Sequence, residues 1–277
     1  MEPVKNEVAV LFSGGIDSLL AAVVLQANYE RVHLITFDKG YLEFGIKNNV
    51  RNVEKLTAVF GKERITHEVV NLKKLMKRIY RGLLRERKRY NMETRWCVGC
   101  RLAMNTGGLI YALEHGLAGY ADGSNREQVP SEDSPVGTAE NFPSIVERLR
   151  TFAGEYGVAF FTPVYDYGSR EERRAKLRDL GFEIDYLSLD HSKRLKGMMT
   201  KDVLRRSQPM CFSGWLIHWK RNLLGKPIEQ DEAKTLDYVI LKQENVVRSY
   251  LKDYFAAGNI DLDALVQERK AFKKVPA

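Results

Sequence analysis

Short apolar runs alternate with amphipathic stretches along the first two-thirds of the chain, and this alternation predicts the architecture. Runs rich in β-branched and aromatic residues, which predict strands, occupy 7–12, 32–37, 65–70, 118–122 and 158–161. Stretches with apolar residues three or four positions apart, which predict helices, occupy 17–27, 47–60, 101–115, 144–156 and 170–180. Such alternation builds right-handed βαβ units. We therefore expect an α/β fold, a doubly wound parallel sheet with helices on both faces.

The strand pattern mostly disappears after about residue 198. Four helices are predicted there, at 199–206, 214–224, 229–257 and 262–272. We therefore predict an α/β domain over residues 1–195 and a mainly helical C-terminal region over 196–277. Aromatic residues at helical spacing are more typical of a core or a homo-oligomer interface than of base stacking, and this reading applies to Trp215, Trp219, Tyr238, Tyr250, Tyr254 and Phe255.

Composition narrows the class of protein. The 277 residues are 44% hydrophobic and 29% charged, which excludes a mainly disordered chain. No apolar run approaches the length of a membrane span, and the first residues contain no apolar signal region. Three cysteines cannot form a disulfide framework. A reducing cytoplasm without membrane attachment is the expected location.

The net charge of +8 belongs to one segment. Residues 72–90 contain nine Lys and Arg but only one acid, Glu86, whereas the remainder of the chain is neutral. Apolar residues at helical spacing predict that Lys73–Arg89 is a helix with one packed face and one cationic stripe. Such a stripe could bind the backbone of an RNA such as tRNA; a solvated face or an acidic small ligand are the alternatives. Further basic contacts are predicted at Arg148, Arg150, Arg170, Arg173, Arg174, Lys193, Arg194, Lys196, Lys201, Arg205 and Arg206.

The most informative string follows the first predicted strand directly and reads Ser13-Gly14-Gly15-Ile16-Asp17-Ser18. Glycines let the backbone come close to a ligand, and the loop amides with the following helix N-terminus form an anion site. Ser13 and Ser18 add hydroxyl groups. Asp17 suits Mg²⁺ or a helix cap. An ordinary strand–turn–helix junction is the alternative.

Two other strand ends carry polar residues. Phe37-Asp38 ends the second strand, and Asp122-Gly123-Ser124-Asn125 ends the fourth. Ligands of open α/β sheets bind at the carboxyl ends of the strands, so these residues should converge on the glycine loop. The alternative for 122–125 is a plain turn, since all four residues favour turns.

The three cysteines form a CxxC pair, Cys97 and Cys100, and a distant Cys211. A CxxC pair places two thiolates within reach of one metal ion. Buried free cysteines, a redox pair, or a structural zinc site completed by His115 or His218 are the other interpretations.

The string SGGxDS resembles the PP-loop of the ATP pyrophosphatase superfamily, which includes tRNA thiolases and NAD synthetase. No GxxxxGK[ST] or GxGxxG string occurs. The resemblance implies a HUP-type fold and cleavage of ATP between its α and β phosphates, with Asp17 as a catalytic residue. It also implies adenosine contacts at Phe37 and Asp38. DGSN resembles the DG[ST]N string of the sulfur-transferase branch that includes LarE-type enzymes. Where that pattern has acidic residues, this chain offers only Glu127 for Mg²⁺.

The cysteine pattern resembles sulfur-transfer members in which three cysteines hold a [4Fe–4S] cluster and leave one iron open for sulfide. Gln208-Pro209-Met210-Cys211 is similar to the Pro-x-x-Cys segment near the reactive cysteine of LarE-type enzymes. The resemblance therefore implies Cys97, Cys100 and Cys211 as metal ligands and Cys211 as a catalytic residue. Zinc is the alternative metal.

The leading hypothesis is an ATP-dependent sulfur transferase that adenylates an acceptor, either a tRNA base or a small carboxylate. The sulfur donor is not indicated. Two hypotheses compete with it. One is an ATP-dependent amidating synthetase with structural zinc, and the other is a non-enzymatic, nucleotide-sensing RNA-binding module.

Overall fold

The structure is a computed structural model that describes residues 6–40, 43–44, 49–129, 138–182, 210–211 and 230–272. Of 43–44 and 210–211 it describes the backbone. Among the described residues, no helix is both long and apolar enough to cross a bilayer. The predicted domain boundary at 195/196 and the predicted helices at 199–206 and 214–224, with Trp215 and Trp219, lie outside the described residues.

Five parallel strands form the central sheet. They are β1 (Glu7–Leu11), β2 (Arg31–Asp38), β4 (Ile65–Asn71), β5 (Gly119–Ala121) and β6 (Ala159–Phe161), in the spatial order β4-β2-β1-β5-β6. The central position of β1 is visible in the register, since Val10 lies opposite Leu34 of β2 on one side and Ala121 of β5 on the other. The predicted parallel sheet is therefore confirmed, with each strand within about two residues of its expected bounds.

Helices cover both faces of this sheet. The helices up to residue 182 are α1 (Ile16–Gln26), α2 (Val50–Phe60), α3 (Lys73–Ile79), α4 (Gly99–Glu114), α5 (Pro143–Glu155) and α6 (Arg170–Asp179). Val8 and Val10 of β1 pack with Leu19, Leu56 and Leu177 of α1, α2 and α6. Ala9 and Leu11 pack on the opposite face, with α3, α4 and α5. Alternate residues of a strand point to opposite faces, so a strand buried on both sides is apolar throughout.

The C-terminal helices extend the second of these cores. They are α7 (Glu232–Lys242), α8 (Arg248–Ala257) and α9 (Leu262–Phe272), and a π-helical turn at Gln243–Val247 joins α7 to α8. Tyr238, Leu251 and Phe255 are buried in the same cluster as α4 and α5. The core role predicted for Tyr238 and Phe255 is thus confirmed, and the single helix predicted over 229–257 is interrupted by the π turn.

The basic segment is not one helix. α3 ends at Ile79, Gly82 adopts a φ of +89°, and a 3₁₀ turn follows at Arg85–Lys88. A positive φ cannot be accommodated inside a right-handed helix, so the chain turns at Gly82. The prediction of a continuous helix over Lys73–Arg89 is therefore wrong in its second half.

A second, two-stranded sheet carries the third cysteine. β3 (Glu43–Phe44) pairs antiparallel with β7 (Met210–Cys211), and Glu43 lies opposite Cys211. Glu43 follows the end of β2 at Asp38 by five residues. The pairing therefore places Cys211 opposite a residue that closely follows the carboxyl end of β2 along the chain, through a strand that the sequence pattern did not indicate.

Candidate nucleotide site and cysteine pair

The glycine loop closes on the N-terminus of α1. Gly14 has a φ of +73°, and Gly15 is the extended N-cap residue of the helix. The Ser13 and Ser18 hydroxyl oxygens lie 3.1 Å apart, and the Ser18 hydroxyl donates to the Gly15 carbonyl at 3.1 Å. No side chain caps α1, so the alternative role of Asp17 as a helix cap is wrong. Backbone amides at an uncapped helix N-terminus are available to an anion.

Three side chains that the sequence analysis missed hold this loop in place. Asn52 donates to the Gly14 carbonyl at 2.8 Å, and Thr36 donates to the Phe12 carbonyl at 3.0 Å. Asn49 donates to Thr36 at 3.2 Å, and a Cβ on Gly14 would lie 2.2 Å from the Asn49 side-chain oxygen. Position 14 therefore requires glycine for space as well as for its φ. The two asparagines lie at the start of α2, where polar residues are common, so no sequence signal marked them.

The 122–125 segment meets the glycine loop, as expected for strand ends on either side of a topological switch point. A Cβ on Gly123 would lie 2.6 Å from the Ser18 backbone nitrogen. Only a glycine allows the segment after β5 to approach the first turn of α1 so closely. The structure thus brings together two of the strings that the sequence singled out.

Arg101 organises the 122–125 segment. This buried arginine of α4 donates to Asp122 at 3.0 Å and to the Ser124 hydroxyl at 2.5 Å. Its other terminal nitrogen donates to the Glu140 carbonyl at 2.5 Å and to the Asn141 side chain at 2.9 Å. A single guanidinium therefore fixes two loops at the carboxyl edge of the sheet. No sequence pattern indicated this role, because nothing distinguishes Arg101 from other basic residues near the CxxC pair.

Asn125 carries a polar group suited to a ligand. Its side-chain oxygen accepts from the Gln128 backbone amide at 3.1 Å. Its amide nitrogen is buried and has no hydrogen-bond partner in the described part of the chain. An unpaired buried donor is costly and normally has an acceptor in the functional state. A donor beside a glycine loop that can accept an anion fits a nucleotide.

Asp17 is partly exposed and is bound to α6. It accepts a 2.6 Å hydrogen bond from the Arg173 Nε, and Glu127 accepts one of 2.7 Å from Nη2 of the same guanidinium. Burial raises the pKa of the Asp17 carboxyl above its ordinary value, and the positive charge of Arg173 opposes this shift. Arg173 is 1% exposed, so its predicted role as an RNA contact is wrong.

The two residues at the end of β2, Phe37 and Asp38, make contacts away from the glycine loop. The Phe37 side chain is buried in the core, where a Cβ on Gly107 would lie 2.9 Å from its ring. Any adenosine contact at Phe37 would therefore involve its backbone. Asp38 accepts from the Gly40 amide at 3.0 Å and pairs with Lys73 at 2.7 Å.

The CxxC pair lies where α4 begins. Cys97 is in a π-helical turn (Thr94–Val98), Cys100 is in the first turn of α4, and both are partly exposed. Residues three apart share a side of a helix, so two thiols can face one soft metal. Among the described residues no three His, Cys, Asp or Glu side chains form a metal site, but the Cys211 side chain is not among them. His115 follows the far end of α4, about 24 Å along the helix, so its proposed role as a fourth zinc ligand is wrong. His218 lies outside the described residues.

A family model described as thiamine biosynthesis protein (ThiI) matches residues 3–145. The chain belongs to the ThiI family. This match confirms the predicted membership of the PP-loop superfamily on its sulfur-transferase side. No curated protein matches the chain.

Several solved structures are similar to this ThiI-family chain. A 4-thiouridine synthetase–RNA complex with bound ATP is 20% identical, with a TM-score of 0.47 over 86% of this chain and 53% of that one. The U34-tRNA thiolase NcsA from Methanococcus maripaludis, with its [4Fe–4S] cluster, is 16% identical, with a TM-score of 0.41 over 88% and 73%. An NH3-dependent NAD synthetase from Campylobacter jejuni is 14% identical, with a TM-score of 0.40 over 89% and 87%. The chain spans about half the length of the first of these structures.

The cationic stripe of this ThiI-family chain is divided between internal contacts and solvent. Arg78 pairs with Asp253 at 2.6 Å and Arg89 with Asp237 at 2.8 Å, both on C-terminal helices. Lys73 pairs with Asp38. The other basic side chains of the segment are exposed and form no ion pair with described residues; we call them the open basic patch, Lys74, Lys77, Arg81, Arg85, Arg87 and Lys88.

The further basic contacts predicted from the sequence are mostly engaged elsewhere. Arg148 pairs with Glu244 at 3.2 Å, Arg150 with Glu147 at 2.5 Å and Arg174 with Glu171 at 3.5 Å. The predicted contacts from 193 to 206 lie outside the described residues. Within the described chain, the open basic patch is therefore the main cationic surface of the segment.

Proposed function

We propose that this chain is an ATP-dependent sulfur transferase that adenylates an RNA acceptor, a tRNA base, and replaces its oxygen by sulfur. The observation that carries the proposal is the close approach of Gly123 to Ser18, which joins the 122–125 segment to the glycine loop. The buried, unpaired Asn125 amide nitrogen and the family membership support it further.

The residues of the site have distinct roles in this proposal. The backbone amides and hydroxyls of Ser13–Ser18 hold the ATP phosphates, and the dipole of α1 favours their charge. Gly123 allows the close approach, while Asp122, Ser124 and Asn125 line the nucleotide site. Asp17 and Glu127 supply carboxylate oxygens, which Mg²⁺ prefers. Phe37 and Asp38 lie at the β2 end, where the adenosine would be bound.

The proposed reaction has two steps, adenylation of the acceptor and displacement of AMP by sulfide. The acceptor oxygen attacks the α-phosphorus, the bond between the α-phosphorus and the bridging oxygen breaks, and pyrophosphate leaves. The acceptor carbon then bears AMP, a good leaving group. Sulfide attacks that carbon and AMP departs with the original oxygen. The sulfur enters as sulfide and the oxygen leaves with AMP, both in the −2 oxidation state. No external electron donor is therefore required.

We propose that Cys97, Cys100 and Cys211 deliver the sulfur. Two partly exposed thiols at the α4 N-terminus, and the pairing of Cys211 with Glu43 soon after the end of β2, support this assignment. Three thiolates can hold a [4Fe–4S] cluster whose remaining iron is open to sulfide. The same set with one additional ligand would instead hold zinc.

The acceptor RNA is proposed to bind at the open basic patch. The patch extends from α3 through the 3₁₀ turn at Arg85–Lys88, and the turn that carries Cys97 begins six residues later, at Thr94. Its six cations form no ion pair with described residues, and so many like charges suit a polyanion such as a phosphate backbone better than a single small acid.

A pyrophosphate-release assay with ATP, Mg²⁺ and total tRNA tests the proposal. We expect release that depends on tRNA and is lost in Gly14→Ala, because the new Cβ would meet Asn49. Gly154→Ala is the matched control, since a Cβ on Gly154 meets nothing within 4 Å. Release that depends on ammonia and not on RNA would favour an amidating synthetase. RNA binding without release under any condition would favour a binding module.

The cysteine assignment has its own test. After anaerobic reconstitution with iron and sulfide, we expect absorbance in the range of about 400 nm, typical of cysteine-ligated clusters. Cys211→Ala should reduce both this absorbance and the iron content. One zinc per chain without iron, or a spectrum unchanged in Cys211→Ala, would contradict three-cysteine cluster ligation.

A further inference from the structure

Arg173 is a charged side chain in an unusual position. It belongs to α6, a helix whose other charged residues lie toward solvent, yet only 1% of Arg173 is exposed. Removing a guanidinium from water is costly unless opposite charges and hydrogen-bond acceptors surround it. The acceptors around Arg173 therefore identify the negative charges that its guanidinium balances.

Each nitrogen of this guanidinium has an acceptor near the nucleotide site. Nε donates to Asp17 Oδ1 at 2.6 Å, Nη2 donates to Glu127 Oε2 at 2.7 Å, and Nη1 donates to the Gly168 carbonyl. Asp17 is in the first turn after the glycine loop, and Glu127 follows the 122–125 segment. One cation thus connects the two sides of the proposed ATP site.

The charge balance of the site would be unfavourable without this cation. A polyphosphate bound at the N-terminus of α1 would lie close to the Asp17 carboxylate, and two like charges at short range repel strongly in a partly buried site. Arg173 offsets the charge of Asp17 and keeps Glu127 beside it.

The carboxylates also keep unused oxygens. Within the described part of the chain, Asp17 Oδ2 and Glu127 Oε1 accept no hydrogen bond. Carboxylate oxygens held near each other fit a divalent cation. The donor set is therefore compatible with the Mg²⁺ that accompanies ATP, while Arg173 holds the other oxygen of each group.

We propose that Arg173 is a positioning residue that serves as a built-in counter-cation of the nucleotide site and sets how strongly ATP binding depends on a divalent cation. The inference rests on the proposed ATP binding. With Arg173 present, ATP can bind in the absence of metal, and Mg²⁺ adds to that affinity. Without it, two uncompensated carboxylates repel the nucleotide, and Mg²⁺ becomes a requirement.

Calorimetric titration of the whole chain with ATP, in Mg²⁺ and separately in EDTA, tests this inference. We expect Arg173→Met to weaken metal-free ATP binding by about tenfold or more, which corresponds to about 1.4 kcal/mol. Excess Mg²⁺ should restore most of the lost affinity. The ratio of the ATP affinity in Mg²⁺ to the ATP affinity in EDTA should therefore be higher in this variant than in the unmodified chain. Arg173→Lys is the matched control: it keeps the charge, and its ratio should stay close to that of the unmodified chain.

Two further measurements separate this role from a structural one. Adding Glu127→Gln to Arg173→Met removes one stranded charge and should restore part of the metal-free affinity. A purely structural role predicts equal weakening with and without Mg²⁺ and no such restoration, and that result would overturn the inference. Circular dichroism checks that each variant is folded. If the unmodified chain does not bind ATP at all, the proposed function itself fails, which is a distinguishable outcome.

Discussion

The side-chain amide nitrogen of Asn52 donates to the carbonyl oxygen of Gly14 at 2.8 Å. This bond ties the first turns of α2 to a glycine whose φ of +73° gives the glycine loop its shape. The loop conformation is therefore maintained by a neighbouring helix as well as by its own glycines.

We expect Asn52→Ala to weaken ATP binding by roughly tenfold, because one buried hydrogen bond is worth on the order of 1 kcal/mol and the freed carbonyl loses its partner. Equilibrium titration with ATP measures the effect. Asn28→Ala is the matched control, since Asn28 is exposed at the opposite end of α1. Equal affinities for the two variants would show that Asn52 does not support the loop.

Arg101→Met should both destabilise the chain and weaken ATP binding. Removing one partner of a buried ion pair leaves the other uncompensated, at a cost of about 3–5 kcal/mol in the free energy of unfolding. The control is Arg126→Gln, whose exposed pair with Asp166 is worth about 0–1 kcal/mol. Urea denaturation gives the stability, and adding Asp122→Asn to Arg101→Met should recover part of it. No recovery would argue against the ion pair as the cause.

Replacing Lys77, Arg81 and Arg85 by Gln should lower RNA affinity and flatten its dependence on salt. Each lost phosphate contact reduces the slope of log K against log salt by roughly 0.7 for single strands. Arg78→Gln with Arg89→Gln provides the comparison, because both arginines are already paired with C-terminal acids. If the second set changes the slope as much as the first, the open basic patch is not the RNA surface.

Leu251→Ala should lower the free energy of unfolding by about 2–5 kcal/mol, because Leu251 is fully buried against the α4–α5 side of the core. Ile240→Ala on α7, at a side chain 39% exposed, should change it by less than about 0.5 kcal/mol. Denaturation followed by two optical probes should show one transition. A separate transition for the C-terminal helices would contradict a shared core.

The chain should lose stability below pH 6.5 through His33. Burial lowers the pKa of His33 below its ordinary 6.5, despite a 2.9 Å contact with Glu7. As the pH falls below 6.5, the unfolded chain therefore binds more protons than the folded one, and the free energy of unfolding decreases. Denaturation at pH 7.5 and 5.5 measures this loss, which His33→Gln should reduce. An identical loss in that variant would assign the pH dependence to other groups.

Local patterns predicted most of the fold and part of the site. Strand runs such as 7–12 are apolar because both faces of β1 are buried, so they are recognisable from sequence. Gly14 and Gly123 lie in strings that the sequence pattern marks, and at both positions the structure leaves no room for a Cβ. Arg101, Asn49, Asn52 and Thr36 were missed because their importance arises from partners far away in sequence. Arg173 was misassigned for the same reason, since a charged helix gives no sign of which arginine turns inward.

The basic segment illustrates another limit. Its charge was evident from the sequence, but its division was not, because Asp237 and Asp253 lie about 150 residues or more from their arginine partners. Gly82 in Lys73–Arg89 was visible, yet a single glycine is tolerated in many helices, and only the folded chain shows that it adopts a positive φ here.

The first turn of α4 contains Cys100 and Arg101 as consecutive residues: Cys100 belongs to the CxxC pair, and Arg101 donates to Asp122 and Ser124 of the 122–125 segment. On the proposed function, a rotation or shift of this turn would therefore disturb the metal site and the nucleotide site together. Variants in α4 cannot be interpreted through overall turnover alone, because a single displacement would slow both the proposed adenylation and the proposed sulfur transfer. Separate binding and metal-content measurements are needed for each of them, and engineering one half of the reaction independently of the other would have to begin outside this helix.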